Sequence, residues 1–109
     1  MKLKDLYNRQ REFNNIVWDK NPLLSKEDII KNLMIALFTE TGEFSNELSN
    51  FKHWKTKHVV NRHDLLLEYA DILLIWASLG EMLGFDCEEV EEVINAKIYI
   101  NNSRQENGY

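Results

Sequence analysis

The sequence predicts an all-α protein, an antiparallel helical bundle of about four helices. Three observations carry this. Apolar residues recur three and four apart along four separate stretches. No stretch shows a convincing strand alternation. The 109 residues hold only four Gly and one Pro, so little turn chemistry is available, and long helices with few connections follow. Helices joined by short connections pack as antiparallel neighbours.

The first helix is expected from about Lys2 to Trp18, where Leu3, Leu6, Phe13, Ile16 and Val17 share a face. Asn21-Pro22 ends it, because proline disfavours helical backbone in the residue before it. Ser25 starts the second helix as a cap, and Glu27 and Asp28 suit the positive end of its dipole. That helix carries Ile29, Ile30, Leu33, Leu37 and Phe38 and runs to about Leu48. Gly42 weakens it, which is tolerable where a neighbour must approach closely. Residues 50–62 lose the period and form a loop or a broken turn. The third helix spans roughly Asp64–Leu83, with a wide apolar face and a stop at Gly84. Asp86 caps a fourth helix with Glu89 as its box partner, and Val90, Val93, Ile94 and Ile98 form its stripe. The segment Asn101–Tyr109 is a polar tail. Residues 1–109 thus read as one domain without repeats or linkers.

A net charge of −5, with the basic residues scattered apart from Lys52–Lys57, argues against a nucleic-acid binder. An acidic protein can still take a polyphosphate when divalent cations bridge the two. The single cysteine, Cys87, allows neither an intrachain disulfide nor a cysteine-based zinc site, and points to a reducing, cytoplasmic setting. The N-terminus lacks the apolar run of a signal peptide, and no segment has the length of a membrane span. A domain this small leaves much apolar surface uncovered, which association with a second copy would bury.

The chemistry-bearing residues are acids. Glu40 and Glu43 stand three apart on the second helix, and Glu68 and Asp71 repeat the spacing on the third. Asp71 sits inside LLLEYADILLIWASL, so burial of at least part of the group is expected. Buried carboxylates without partners are costly, and like charges at this spacing repel. Four of them call for cations. Mg²⁺, a hard ion that takes oxygen ligands and shares its shell with water and phosphates, is the natural candidate, with Mn²⁺ as a substitute. No Glu-x-x-His occurs, which argues against a di-iron site. The competing reading is that each Glu-x-x-Glu is a solvated surface pair; Glu47, one turn further on, is as readily a solvated acid.

Further residues extend the pattern. Gln10-Arg11-Glu12-Phe13-Asn14 is similar to a Gln-x-x-Leu-Asn element; Phe51-Lys52-His53-Trp54 follows the first acid pair; and Lys97, Asn101, Arg104, Gln105, Asn107, Gly108 and Tyr109 close the chain. Together with the two acid pairs, these segments resemble the dimeric all-α dUTPases, within the superfamily that includes MazG-like nucleotide pyrophosphohydrolases. The resemblance implies a Mg²⁺-dependent enzyme splitting dUTP or a related deoxynucleotide into monophosphate and pyrophosphate. It implies that Glu40, Glu43, Glu68 and Asp71 hold the metal, and that a glutamate, Glu43 or its neighbour Glu40, activates the water. It also implies that Gln10 and Asn14 read the base and that Trp54 closes over it. Lys52, Lys97, Asn101, Arg104 and Tyr109 would then grip phosphate or nucleotide, partly across the interface of a homodimer.

Without the resemblance, Gln10 and Asn14 read as exposed polar residues. Trp54 would be a packing anchor, as Trp18 and Trp76 are taken to be. Lys97 and Arg104 would complement the negative end of the last helix. His53, His58 and His63 read as surface histidines. Two rival functions stand beside dUTP hydrolysis: a MazG-like pyrophosphohydrolase of broader specificity, and a non-enzymatic helical protein that binds a partner or senses a nucleotide.

Overall fold

The structure is a computed structural model that describes residues 1–48, 52–54 and 60–108. It contains four helices, α1 (Leu3–Lys20), α2 (Lys26–Leu48), α3 (Arg62–Met82) and α4 (Cys87–Glu106). No strand occurs among the described residues.

Local chemistry sets the helix ends. The Ser25 hydroxyl accepts from the Asp28 N–H at 3.1 Å, and the Asp28 carboxylate accepts from the Ser25 N–H at 3.1 Å, a reciprocal cap. The α4 start is held by the Glu89 carboxylate, which accepts from the Asp86 N–H at 2.8 Å. Helix α3 begins two residues before the expected Asp64, because the Asn61 side chain accepts from the His63 and Asp64 N–H groups at 3.0 and 3.2 Å. It ends where Gly84 takes a φ of +78°.

The expected polar tail is instead helix as far as Glu106. Residues 101–106 contain no breaker, and a helix turn facing solvent needs no apolar period. Lys97, Asn101 and Arg104 therefore follow one another along a single helical rod.

Helix α3 is the central rod. Helices α2 and α1 both pack against it, while α4 meets only α1 among the helices. At the α1–α3 joint Tyr7 is buried, with its ring edge-on to Trp76 at 6.1 Å. A Cβ at Gly80 would collide with the Tyr7 hydroxyl, so glycine is what lets α1 come this close. Phe44 and Tyr69 meet at 6.0 Å and help join α2 to α3. Gly42 has no such reason among the described residues, where a Cβ would meet nothing within 4 Å.

The packing is open. The Cα radius of gyration is 17.4 Å, against roughly 13 Å for a compact chain of this length. The accessible surface is 8538 Å², against about 6,300 Å² for a compact protein of this mass. Many large apolar side chains are part of that surface. Phe38, Val93, Ile94, Ile98 and Tyr99 all stand exposed, so most of the stripe expected on the fourth helix is left uncovered, with Val90 half-buried. Among the described residues, no helix is long and apolar enough to cross a membrane.

Candidate active site

The close packing of α2 on α3 turns two i, i+3 acid pairs toward each other. Glu40, Glu68 and Asp71 each offer a carboxylate oxygen, and these oxygens lie within 4.8 Å of one another. The Oε2 atoms of Glu40 and Glu68 are buried and accept no hydrogen bond from any described residue. Burial, followed by the charges of Glu43 and Asp71, pushes the Glu40 carboxyl up to about 7. Burial and the Glu43 charge raise Glu68 as well. A cluster that must hold protons to be tolerable is one that a hard cation would also relieve. The donor set, all carboxylate oxygen with two buried orphan atoms, fits Mg²⁺.

Glu43 stands differently. It is exposed and contributes no atom to the three-acid set, yet its charge acts on both Glu40 and Glu68.

The acids open onto a cleft of about 300 Å³ whose walls include Gln10, Phe13, Glu40, Asp71, Leu74 and Ser78. Gln10 thus reaches the same space as two of the acids, from a different helix. Asn14 does not line it. Asn14 is 7% exposed, and its Nδ2 donates to the Ser78 carbonyl at 3.2 Å and to the Glu81 carboxylate at 3.3 Å. The reading of Asn14 as an exposed polar residue is therefore overturned: one turn beyond Gln10, it faces α3, where an amide can satisfy polar groups at the seam.

Among the described residues, the others expected at the site are not gathered at this cleft. Trp54 is 65% exposed, with His53 edge-on at 5.2 Å, so it is not a packing anchor. Lys52 is half-buried. Lys97, Asn101 and Arg104 lie on α4, which packs on neither α2 nor α3. Tyr109, Phe51 and His58 lie outside the described residues. His53 and His63 are exposed.

A family model described as dUTPase matches residues 2–80, a span that holds all four acids. The chain belongs to the dUTPase family. No curated protein and no solved structure gives a match. Membership in the dUTPase family, of the all-α type, supports hydrolysis of a nucleoside triphosphate and fits a nucleotide substrate. The family match stops at Gly80, so α4 and its Lys97, Asn101 and Arg104 lie beyond it.

Within this dUTPase-family site the sequence left two residues unread, Ser78 and Glu81. Ser78 accepts from Gln10 Nε2 at 2.7 Å, and Glu81 accepts from Arg11 Nε at 2.9 Å as well as from Asn14. The available signal was a matched spacing: Gln10 and Asn14 are four apart on one helix, while Ser78 and Glu81 are three apart on another.

Proposed function

We propose that this chain is a Mg²⁺-dependent dUTP diphosphatase that hydrolyses the α–β anhydride of dUTP to dUMP and pyrophosphate, acting in the cytoplasm as a homodimer. The observation that carries the reading is the convergence of Glu40, Glu68 and Asp71 with two buried, unpaired oxygens. Family membership supports the nucleotide substrate.

Glu40, Glu68 and Asp71 would hold the ion, with Glu43 completing the set once a cation draws it in; Mn²⁺ would occupy the same oxygens. When bound, the ion neutralises triphosphate charge and supports the build-up of charge on the transferring phosphoryl group. Glu43, exposed beside Glu40, takes the proton of the attacking water, with Glu40 assisting. Gln10 reads the base edge from the cleft wall, and Asn14 holds that helix on α3. Trp54 closes over the base, and Lys52 meets phosphate. The uncovered apolar residues of α4 support burial against a second copy. That copy would bring Lys97, Asn101, Arg104 and Tyr109 to the neighbouring nucleotide.

The test is product analysis on a nucleotide panel with Mg²⁺, with EDTA, and with Glu68→Gln and Asp71→Asn. The reading expects dUMP and pyrophosphate, a clear preference for dUTP, and no turnover in EDTA. Each substitution should lower kcat/KM by about a hundredfold or more, since a ligand to the charge-neutralising ion is lost. Hydrolysis spread evenly over all bases would point to a broad MazG-like enzyme. Unchanged turnover and metal affinity in folded variants would leave a nucleotide-sensing or partner-binding bundle.

A further inference from the structure

Helix α4 stands away from the rest of its chain. Beyond Val90 every residue of it except Ser103 is exposed, Val93, Ile94, Ile98 and Ile100 included. Helices in proteins are held mainly by the packing of an apolar face, so a rod this bare calls for a partner. Helix α2 has an uncovered side as well. Ile35, Phe38 and Gly42 follow one another at i, i+3 and i+7, with Met34 and Thr41 beside them. All five are exposed, Phe38 by 73%. From Asn32 to Asn46 the only charges are Glu40 and Glu43. Glu40 is turned to the acids of α3, which leaves this outer side uncharged with Glu43 at its flank. Gly42 weakens the helix, and among the described residues no neighbour uses the space it leaves. A glycine is where a second helix can come close.

We infer that α4 of each copy docks on the outer side of the other copy's α2, across Gly42. This rests on the proposed homodimer and names the surfaces that form it. Charge and coverage choose this pairing over self-pairing. The stripe from Val93 to Ile100 has Lys97 near its middle. Two α4 rods laid stripe to stripe, parallel in register or antiparallel about their centre, set Lys97 against the partner's Lys97, and like charges repel. Pairing α2 with α2 leaves both α4 rods bare. Pairing α4 with α2 covers an apolar side on each helix at two equivalent junctions, as a two-fold dimer requires. It also brings the partner's Lys97 to a side flanked by Glu43, a charge of opposite sign. The area suffices. The accessible surface of 8538 Å² exceeds the about 6,300 Å² of a compact protein of this mass by more than the roughly 800 Å² that each partner of a standard complex gives up.

The first test uses single-cysteine chains in a Cys87→Ser background. Phe38→Cys chains are mixed with mass-tagged Val93→Cys, Ile94→Cys, Ile98→Cys or Ile100→Cys chains, oxidised mildly and resolved without reductant. At least one mixture should give a disulfide between unlike chains, since a docked pair of helices brings some of these positions within bridging distance. Neither Phe38→Cys chains nor the α4 chains should link to themselves. The second test is Gly42→Leu. Leucine favours helix, so helix content by circular dichroism should hold or rise. Its bulk should nevertheless weaken the dimer about tenfold to a hundredfold in sedimentation equilibrium, the range of overpacking, and Gly42→Ala should weaken it less. A dimer that forms no mixed disulfide in any of the mixtures, self-linked Phe38→Cys chains, or a Gly42→Leu dimer as tight as the wild type overturns the inference and leaves the homodimer standing. A wild-type chain that sediments as a monomer overturns the homodimer, and this inference with it.

Discussion

Along the α1–α3 seam polar side chains pair across two helices, whereas along α4 most of the apolar side chains are exposed. Gln10 and Asn14 reach across to Ser78, Leu74 and Glu81, so polar groups of five residues pair at the seam. Val93, Ile98 and Tyr99 on α4 have no such arrangement. The seam is settled by its own chain. The α4 surface is not, and its excess of exposed apolar area is what a second copy would cover. Under the proposed homodimer, the acids beside the first region and the basic residues on the second would meet in one site.

The strongest way to break this comparison is to charge α4. Ile98 is 52% exposed, so Ile98→Glu should leave an isolated chain almost as stable as before, within about 0.5 kcal/mol. Buried against a partner, the same carboxylate would cost several kcal/mol, splitting the dimer and lowering activity about a hundredfold. Sedimentation and turnover at matched concentrations decide it. A variant that keeps both its mass and its rate would show that α4 faces solvent in the working protein.

A smaller effect is expected at the seam. Gly80→Ala sets a methyl against the Tyr7 hydroxyl and should destabilise the protein by about 1–3 kcal/mol in denaturant unfolding, the usual penalty of overpacking. A neutral result would mean that α1 can retreat from α3 without loss, and that the seam is as loose as α4.

The smallest effect sharpens the electrostatics. Glu40 is raised to about 7 from an ordinary value of 4.5. Between those values the folded state holds a proton that the unfolded state has released. Without metal, this group's contribution to stability is therefore fully present at lower pH and declines as pH rises from about 4.5 to 7. Thermal melts in EDTA should show Tm falling across that window, with Glu40→Gln flattening the slope. Added Mg²⁺ should restore stability at the alkaline end, because it binds the ionised acids.

Much of the fold was legible. Periodicity located all four helices, and Ser25, Asp86 and Gly84 marked ends that the structure keeps. The acids were legible too, since charge inside LLLEYADILLIWASL conflicts with burial unless something offsets it. The α1–α3 seam was not. An amide, a hydroxyl and an acid look like ordinary surface residues until two helices meet, because hydrogen-bond pairing depends on register between helices and leaves no period within either one. The exposure of α4 was equally hidden: an apolar stripe looks the same whether its partner lies in its own chain or in another.

The sequence by itself determined the helices, their caps and the two pairs of acids, since propensity, capping and i, i+3 spacing act within a few residues of chain. Only the tertiary structure decided that Glu40, Glu68 and Asp71 converge while Glu43 stays exposed, that Asn14 is buried, and that Lys97 and Arg104 stand away from the acids. Those outcomes follow from how rods are rotated and offset against one another, a freedom that local rules do not constrain.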